Sequence, residues 1–221
     1  CGVDHSLLTS CKPRRSIKFI GDRYARAVMM SVKVKICGIT TPEQAIQAQE
    51  VGADALGVVL YEKSSRYVPL DQACAIRAVV GADVAMVALL VNADGTEVSR
   101  VIEQLSPDLL QFHGDETVNF CHQFDYPFIR ALRMREGVDA AKMTCGYKPN
   151  GGFLFDAWHA EQYGGTGATF DWSRLPMVRD YPLILAGGLN CENVALAVRS
   201  VFPDMVDVSG GVESAPGVKD P

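Results

Sequence analysis

Eight short apolar runs recur along the chain, at 32–37, 53–60, 84–91, 109–112, 128–132, 152–155, 183–186 and 206–208. Each has the length and composition of a buried strand. Helix-type segments separate most of them, at 41–51, 69–80, 96–105, 116–123, 138–143 and 191–201, with only a short turn at 172–175. The first helix carries a plain start signal, Thr41-Pro42-Glu43, and stops at Gly52. Strands alternating with helices, with no break in composition, predict a parallel α/β fold. The count of eight and the compact length favour a (β/α)8 TIM barrel over a doubly wound sheet. An eighth helix should follow the last strand, but the sequence reaches Lys219-Asp220-Pro221 without one. The expectation is therefore a barrel lacking its final helix, in a chain shortened at its C-terminus.

At 221 residues, one domain with a single core accounts for the chain. No apolar run approaches the roughly 18 residues of a membrane span. The net charge of −5 argues against a general nucleic-acid binder. Seven cysteines, with no C-x-x-C pair and no zinc spacing, point to reduced thiols and a cytoplasmic setting. Residues 1–30 stand apart, because six of the 21 Lys/Arg fall there against two acidic residues. They lack the apolar stretch of a secretory signal. An Arg-rich organellar targeting segment is one reading. Translated upstream sequence before Met29-Met30 is the preferred one. The division expected is a poorly ordered extension over 1–30 and one barrel domain over 31–221.

In such a barrel the chemistry sits at the carboxyl ends of the strands. The first run ends in Cys37-Gly38, the fourth in Gln111-Phe112-His113 and the sixth in Phe155-Asp156. The seventh ends before Gly187-Gly188, and the eighth in Asp207-Val208-Ser209-Gly210-Gly211. Glycine pairs after strands seven and eight let backbone N–H groups approach an anion, so a phosphate is expected there. Tight turns alone would also explain them. A thiol and a carboxyl across one barrel mouth suit a base and an acid. Taken singly, Cys37 is equally a buried structural cysteine, and Asp156 equally a loop anchor. His113, the one histidine at a strand end, is as compatible with a structural role as with binding. No histidine or acid cluster has metal spacing, so no metal site is expected.

Six motifs occur in order: Lys35-Ile36-Cys37-Gly38-Ile39-Thr40, Gly52-Ala53-Asp54-Ala55-Leu56-Gly57, Lys63-Ser64-Ser65-Arg66-Tyr67, Leu110-Gln111-Phe112-His113-Gly114-Asp115, Gly164-Gly165-Thr166-Gly167 and Asp207-Val208-Ser209-Gly210-Gly211-Val212-Glu213. Together they resemble the phosphoribosylanthranilate isomerases of tryptophan biosynthesis, over about 32–220. The resemblance implies a cofactor-free Amadori rearrangement of a phosphosugar, with Cys37 as general base and Asp156 as general acid. It places Arg66 near the anthranilate carboxylate, where a guanidinium fork suits bidentate pairing. It also puts Gln111, His113, Asp207 and Ser209 in the substrate pocket, with Gly187, Gly188, Gly210 and Gly211 around the phosphate. Either a monomer or a homodimer is compatible with it. Lys35, two residues from Cys37, shares its face of the strand, where its ammonium would either help lower the thiol pKa or bind other groups.

Two related phosphosugar enzymes fit less well. A ribulose-phosphate epimerase needs metal-binding histidines and acids at strand ends, where only His113 is available. An indole-glycerol-phosphate synthase needs a lysine and a glutamate where this chain has Cys37 and Asp156. A non-catalytic phosphosugar-binding barrel would keep the glycine turns without needing both of those residues.

Overall fold

The computed structural model describes residues 32–137, 139–157 and 169–220. The 1–30 extension and the 164–167 glycine loop lie outside the described residues. Eight strands run β1 Lys33–Cys37, β2 Ala55–Val59, β3 Ala85–Leu90, β4 Leu109–Phe112, β5 Phe128–Met134, β6 Phe153–Ala157, β7 Leu183–Leu185 and β8 Met205–Val208. Each pairs in parallel with the next, and β1 pairs with β8 from Lys33↔Met205 to Ile36↔Val208, so the barrel closes as expected. Helices α1 Pro42–Glu50, α2 Leu70–Val79, α3 Gly95–Leu105, α4 Val118–His122, α5 Ala140–Thr144 and α6 Val194–Val201 lie between strands.

The uniform apolarity of the runs has a direct cause. Side chains alternate across a strand, and here both faces are covered. Ala55, Val87, Leu109, Ile129, Leu154, Ile184 and Met205 fill the barrel interior. Their neighbours Leu56, Met86, Leu110 and Phe128 pack outward, as do Phe155, Leu185 and Val206. Burying each such side chain stabilises by about 1.5–3 kcal/mol. At the amino end of the barrel one device recurs three times. The carboxylates of Asp54, Asp108 and Asp204 each accept from a strand N–H, of Val34, Met86 and Leu183 respectively, at 2.8 Å. Each aspartate precedes one strand and fastens the start of the strand before it.

Most helix starts follow their local signals. Thr41 caps α1 by accepting from the Gln44 N–H, with Pro42 at the first helical position. Three helices begin two or three residues later than the patterns over 116–123, 138–143 and 191–201 predict. Glu116 stays out of α4 because its carboxylate holds the preceding loop, and Thr117 takes over as cap. Before α6, Asn190 Oδ1 accepts from the N–H groups of Glu192 and Asn193, and Asn193 Oδ1 accepts from that of Asn190. This reciprocal turn competes with the helix. The fifth and sixth strands each run two residues past their expected ends at 132 and 155.

Among the described residues no α-helix follows β8. A single 3₁₀ turn, Gly210–Val212, leads into an antiparallel hairpin of β9 Glu213–Ala215 and β10 Val218–Lys219. Its turn, Pro216-Gly217 with Gly217 at φ +80°, has the residue order that a type II turn favours. The Gly217 carbonyl accepts from Thr40 Oγ1 at 2.7 Å and from Gln44 Nε2 at 3.0 Å, which fastens the hairpin to the start of α1.

Candidate active site

A cavity of about 270 Å³ opens at the carboxyl ends of the strands. Its walls include Cys37 from β1, Arg66 from the loop after β2, His113 after β4 and Asp156 on β6. Gly187 and Gly188 follow β7, and Asp207, Ser209, Gly210 and Gly211 come from β8 and its loop. Every site residue expected from the sequence thus meets at one mouth, except Gln111, which lies fully buried beneath His113.

Cys37 ends β1 facing inward, and Lys35 lies on the same face. The Lys35 Nζ donates to Asp207 Oδ1 at 2.8 Å, and the lysine has no exposure to solvent. Burial alone pushes the Lys35 ammonium down, but Asp207 and Cys37 outweigh it and leave it raised. For the thiol, burial and Asp207 push up while Lys35 and Lys219 pull down, and the net is a value above that of an ordinary cysteine. The effect expected of Lys35 therefore has the right direction but is outweighed by desolvation.

Gly57 explains how this pair fits. A Cβ there would lie 2.9 Å from Cys37 Sγ and 3.1 Å from Lys35 Nζ. Its bare Cα on β2 is the wall against which thiol and ammonium meet. Sequence reasoning does not single out this residue as part of the site. The available signal is a glycine inside a buried strand, which often marks a close approach.

Asp156 Oδ1 accepts from the Ala157 N–H at 2.8 Å, and Oδ2 lies 3.2 Å from His113 Nε2. On its other side the imidazole meets Gln111, with Nδ1 at 3.1 Å from Nε2. The loop bearing His113 is pinned from below. Glu116 accepts from the N–H groups of Asn92 and Gly114 and from Arg130 Nη1, all at 2.8–2.9 Å. Arg130 in turn donates to the carbonyls of Phe112 and Gly114. Among the described residues, Gln111 Oε1, His113 Nε2 and Ser209 Oγ are buried without a hydrogen bond, His113 and Ser209 at the cavity and Gln111 beneath it. Buried polar groups are ordinarily hydrogen-bonded, so the two at the cavity are open to a polar ligand.

The glycine turns press backbone against backbone. Gly187 and Gly188 sit at φ +84° and +63°. A Cβ on Gly187 would fall 2.6 Å from the Ala157 nitrogen, and one on Gly211 would fall 1.9 Å from the Leu189 carbonyl oxygen. Side chains are excluded there, and main-chain groups line that side of the cavity.

Arg66 departs from the expected picture in one respect. Its Nε and Nη2 donate to Glu213 Oε1 and Oε2 at 2.8 and 2.6 Å. One fork edge is therefore occupied by a residue of the chain. Among the described residues no group of three or more His, Cys, Asp or Glu is placed to hold a metal ion.

A family model described as "N-(5'phosphoribosyl)anthranilate (PRA) isomerase" matches residues 34–221. An N-(5'-phosphoribosyl)anthranilate isomerase from Azotobacter vinelandii is 50% identical over 192 residues, covering 87% of this chain and 93% of that protein. A crystal structure of phosphoribosyl anthranilate isomerase from Thermotoga maritima is similar at a TM-score of 0.76 and 35% identity, over 86% of this chain and 93% of that one. A structure of such an isomerase in complex with reduced 1-(o-carboxyphenylamino)-1-deoxyribulose 5-phosphate is similar at a TM-score of 0.71 and 33% identity, with the same coverage.

Proposed function

We infer the working residues of this site from one premise: the chain belongs to the family of N-(5'-phosphoribosyl)anthranilate isomerases. It is an isomerase of tryptophan biosynthesis. It converts N-(5'-phosphoribosyl)anthranilate into 1-(2-carboxyphenylamino)-1-deoxyribulose 5-phosphate.

Asp156 is the acid. Its Oδ1 is committed to the Ala157 N–H, so the transferable proton sits on Oδ2, on the side of His113. Delivering that proton to the furanose ring oxygen opens the ring and leaves a protonated Schiff base at C1. Cys37 is the base. As thiolate it takes the proton from C2 to give an enolamine, which tautomerises to the ketone. Lys35 compensates the thiolate charge before the proton is taken, and Asp207 keeps Lys35 in place. A thiol raised by burial is a stronger base once ionised, which suits removal of a carbon-bound proton.

Arg66 pairs with the anthranilate carboxylate. A guanidinium has two bidentate edges, and Glu213 occupies only the one formed by Nε and Nη2. The main-chain groups around Gly187, Gly188, Gly210 and Gly211 receive the phosphate. Ser209 and His113 satisfy their unpaired polar atoms against the substrate, and Gln111 holds the His113 ring from below.

The observation that carries this reading is the single cavity shared by Cys37 and Asp156, with a cation behind the one and an imidazole beside the other. Cys37→Ala and Asp156→Ala should each lower turnover of phosphoribosylanthranilate by about 10²–10⁴-fold, followed by loss of its fluorescence without added metal. Full activity in either variant rejects the assignment.

A further inference from the structure

Two charged side chains of the β9–β10 hairpin sit behind the cavity wall and transfer no proton in the steps above. Glu213 and Lys219 are almost fully buried, with side-chain exposures of 4% and 7%. Glu213 Oε1 accepts from Arg66 Nε and also from Lys219 Nζ at 2.7 Å, while Oε2 takes Arg66 Nη2. Lys219 Nζ then donates to two main-chain carbonyls, of Cys37 at 2.6 Å and Ser209 at 3.2 Å. One connected chain thus runs from a guanidinium in the cavity wall to the backbone of the thiol residue.

The cluster of two cations and one carboxylate retains a positive charge. Among the described residues no hydrogen bond reaches Arg66 Nη1, so that charge has an unused donor edge. The stem of Arg66 is seated independently. Gly38, at φ +78°, lies beneath it, and a Cβ there would fall 2.5 Å from Arg66 Cδ. A flexible arginine is therefore placed at both ends, by a bare Cα under its stem and a carboxylate on one edge of its fork. Such preorganisation lowers the entropy lost when a ligand binds.

We propose that Glu213, fixed by Lys219, is a positioning residue that makes the pocket selective for a carboxylate-bearing substrate. It turns Arg66 so that the Nη1/Nη2 edge faces the cavity and receives the ring carboxylate in a second fork. This rests on the pairing of Arg66 with the substrate carboxylate proposed above.

The test compares two ligands by calorimetry. One is the reduced product analogue, 1-(o-carboxyphenylamino)-1-deoxyribitol 5-phosphate, and the other the same compound without its ring carboxylate. Glu213→Gln should weaken the first about tenfold and the second by less than about twofold. In turnover, KM for phosphoribosylanthranilate should rise with kcat nearly unchanged. Equal loss for both ligands, or loss for neither, overturns the proposal. Arg66→Ala is the separate arm: if it spares the carboxylated ligand, the Arg66 pairing itself is wrong. Should Glu213→Gln fail to fold by circular dichroism, Lys219→Gln decides. A loss confined to the carboxylated ligand supports the role, and an equal or absent loss rejects it.

Discussion

A lysine with no contact to water is a demanding neighbour for a thiol. Lys35 survives in the barrel interior because Asp207, 172 residues away, supplies its counter-charge. Removing one partner strands the other. Lys35→Met should cost about 3–5 kcal/mol in chemical denaturation, and adding Asp207→Asn should recover part of it. The thiol has its own signature. If Cys37 is the base, as proposed, activity follows its thiolate, and a raised thiol means that Cys37 alkylation and kcat/KM both climb with pH to a midpoint above that of an ordinary cysteine. Iodoacetamide rates at the Cys37 peptide itself, read by mass spectrometry in a Cys145→Ser/Cys191→Ser background, would measure it. Those two thiols are exposed, while Cys121 is pushed up to about 12 by burial and stays silent. Gly57→Ala should slow turnover by about 10²-fold, since its methyl lands on Sγ and Nζ. Unchanged turnover would remove Gly57 from the site. In the sequence, Cys37 and Lys35 are legible as strand-end neighbours on one face. The pairing of Lys35 with Asp207 is not, because only ring closure brings β1 beside β8.

At the scale of elements, strands are legible almost to the residue where they are uniformly apolar and buried on both faces. Helix starts are harder to place where a polar side chain has another task, as Glu116 and Asn190 do. The same feature marks the function of those loops. Glu116→Ala would leave Arg130 buried without its carboxylate and free the N–H groups of Asn92 and Gly114. The loop holding His113 should loosen, with faster hydrogen exchange at 113–116 and stability lower by about 3–5 kcal/mol. The hairpin after β8 is not legible as an element at all. Its strands hold three and two residues and have no hydrophobic period to detect. What builds it is charge pairing across the seam. Burial raises Glu213, yet Arg66 and Lys219 overcome this and hold its carboxyl below the usual glutamate range. The stabilisation is therefore complete above that range and lost as pH falls through the depressed value. Exchange protection of 213–219 should collapse on acidification before that of the eight strands. Simultaneous loss would show that the hairpin does not open independently.

For the whole molecule, the ring explains why so much of the site is readable and why its wiring is not. A closed parallel barrel delivers every strand end to one mouth, so an ordered set of strand-end residues is already a set of wall residues. Which of them touch depends on stagger and on closure between β1 and β8, and neither has a local signal. The same topology couples binding to global stability. The cavity takes residues from every strand or its following loop except β5, so a ligand there bridges most of the circumference. A ligand that binds only the closed ring stabilises it by about 2.7 kcal/mol at a concentration one hundred times its Kd. For a domain of this size that is a rise in Tm of about 5–10 °C. The reduced product analogue, proposed above to engage both the glycine turns and Arg66, should reach this rise in a calorimetric scan. Inorganic phosphate at the same multiple of its own Kd should match it, because linkage depends on occupancy and not on the number of contacts. At equal millimolar concentration phosphate should fall well short. If the analogue saturates the site without moving Tm, the ring opens elsewhere before it unfolds, and the seam between β1 and β8 is the first place to look.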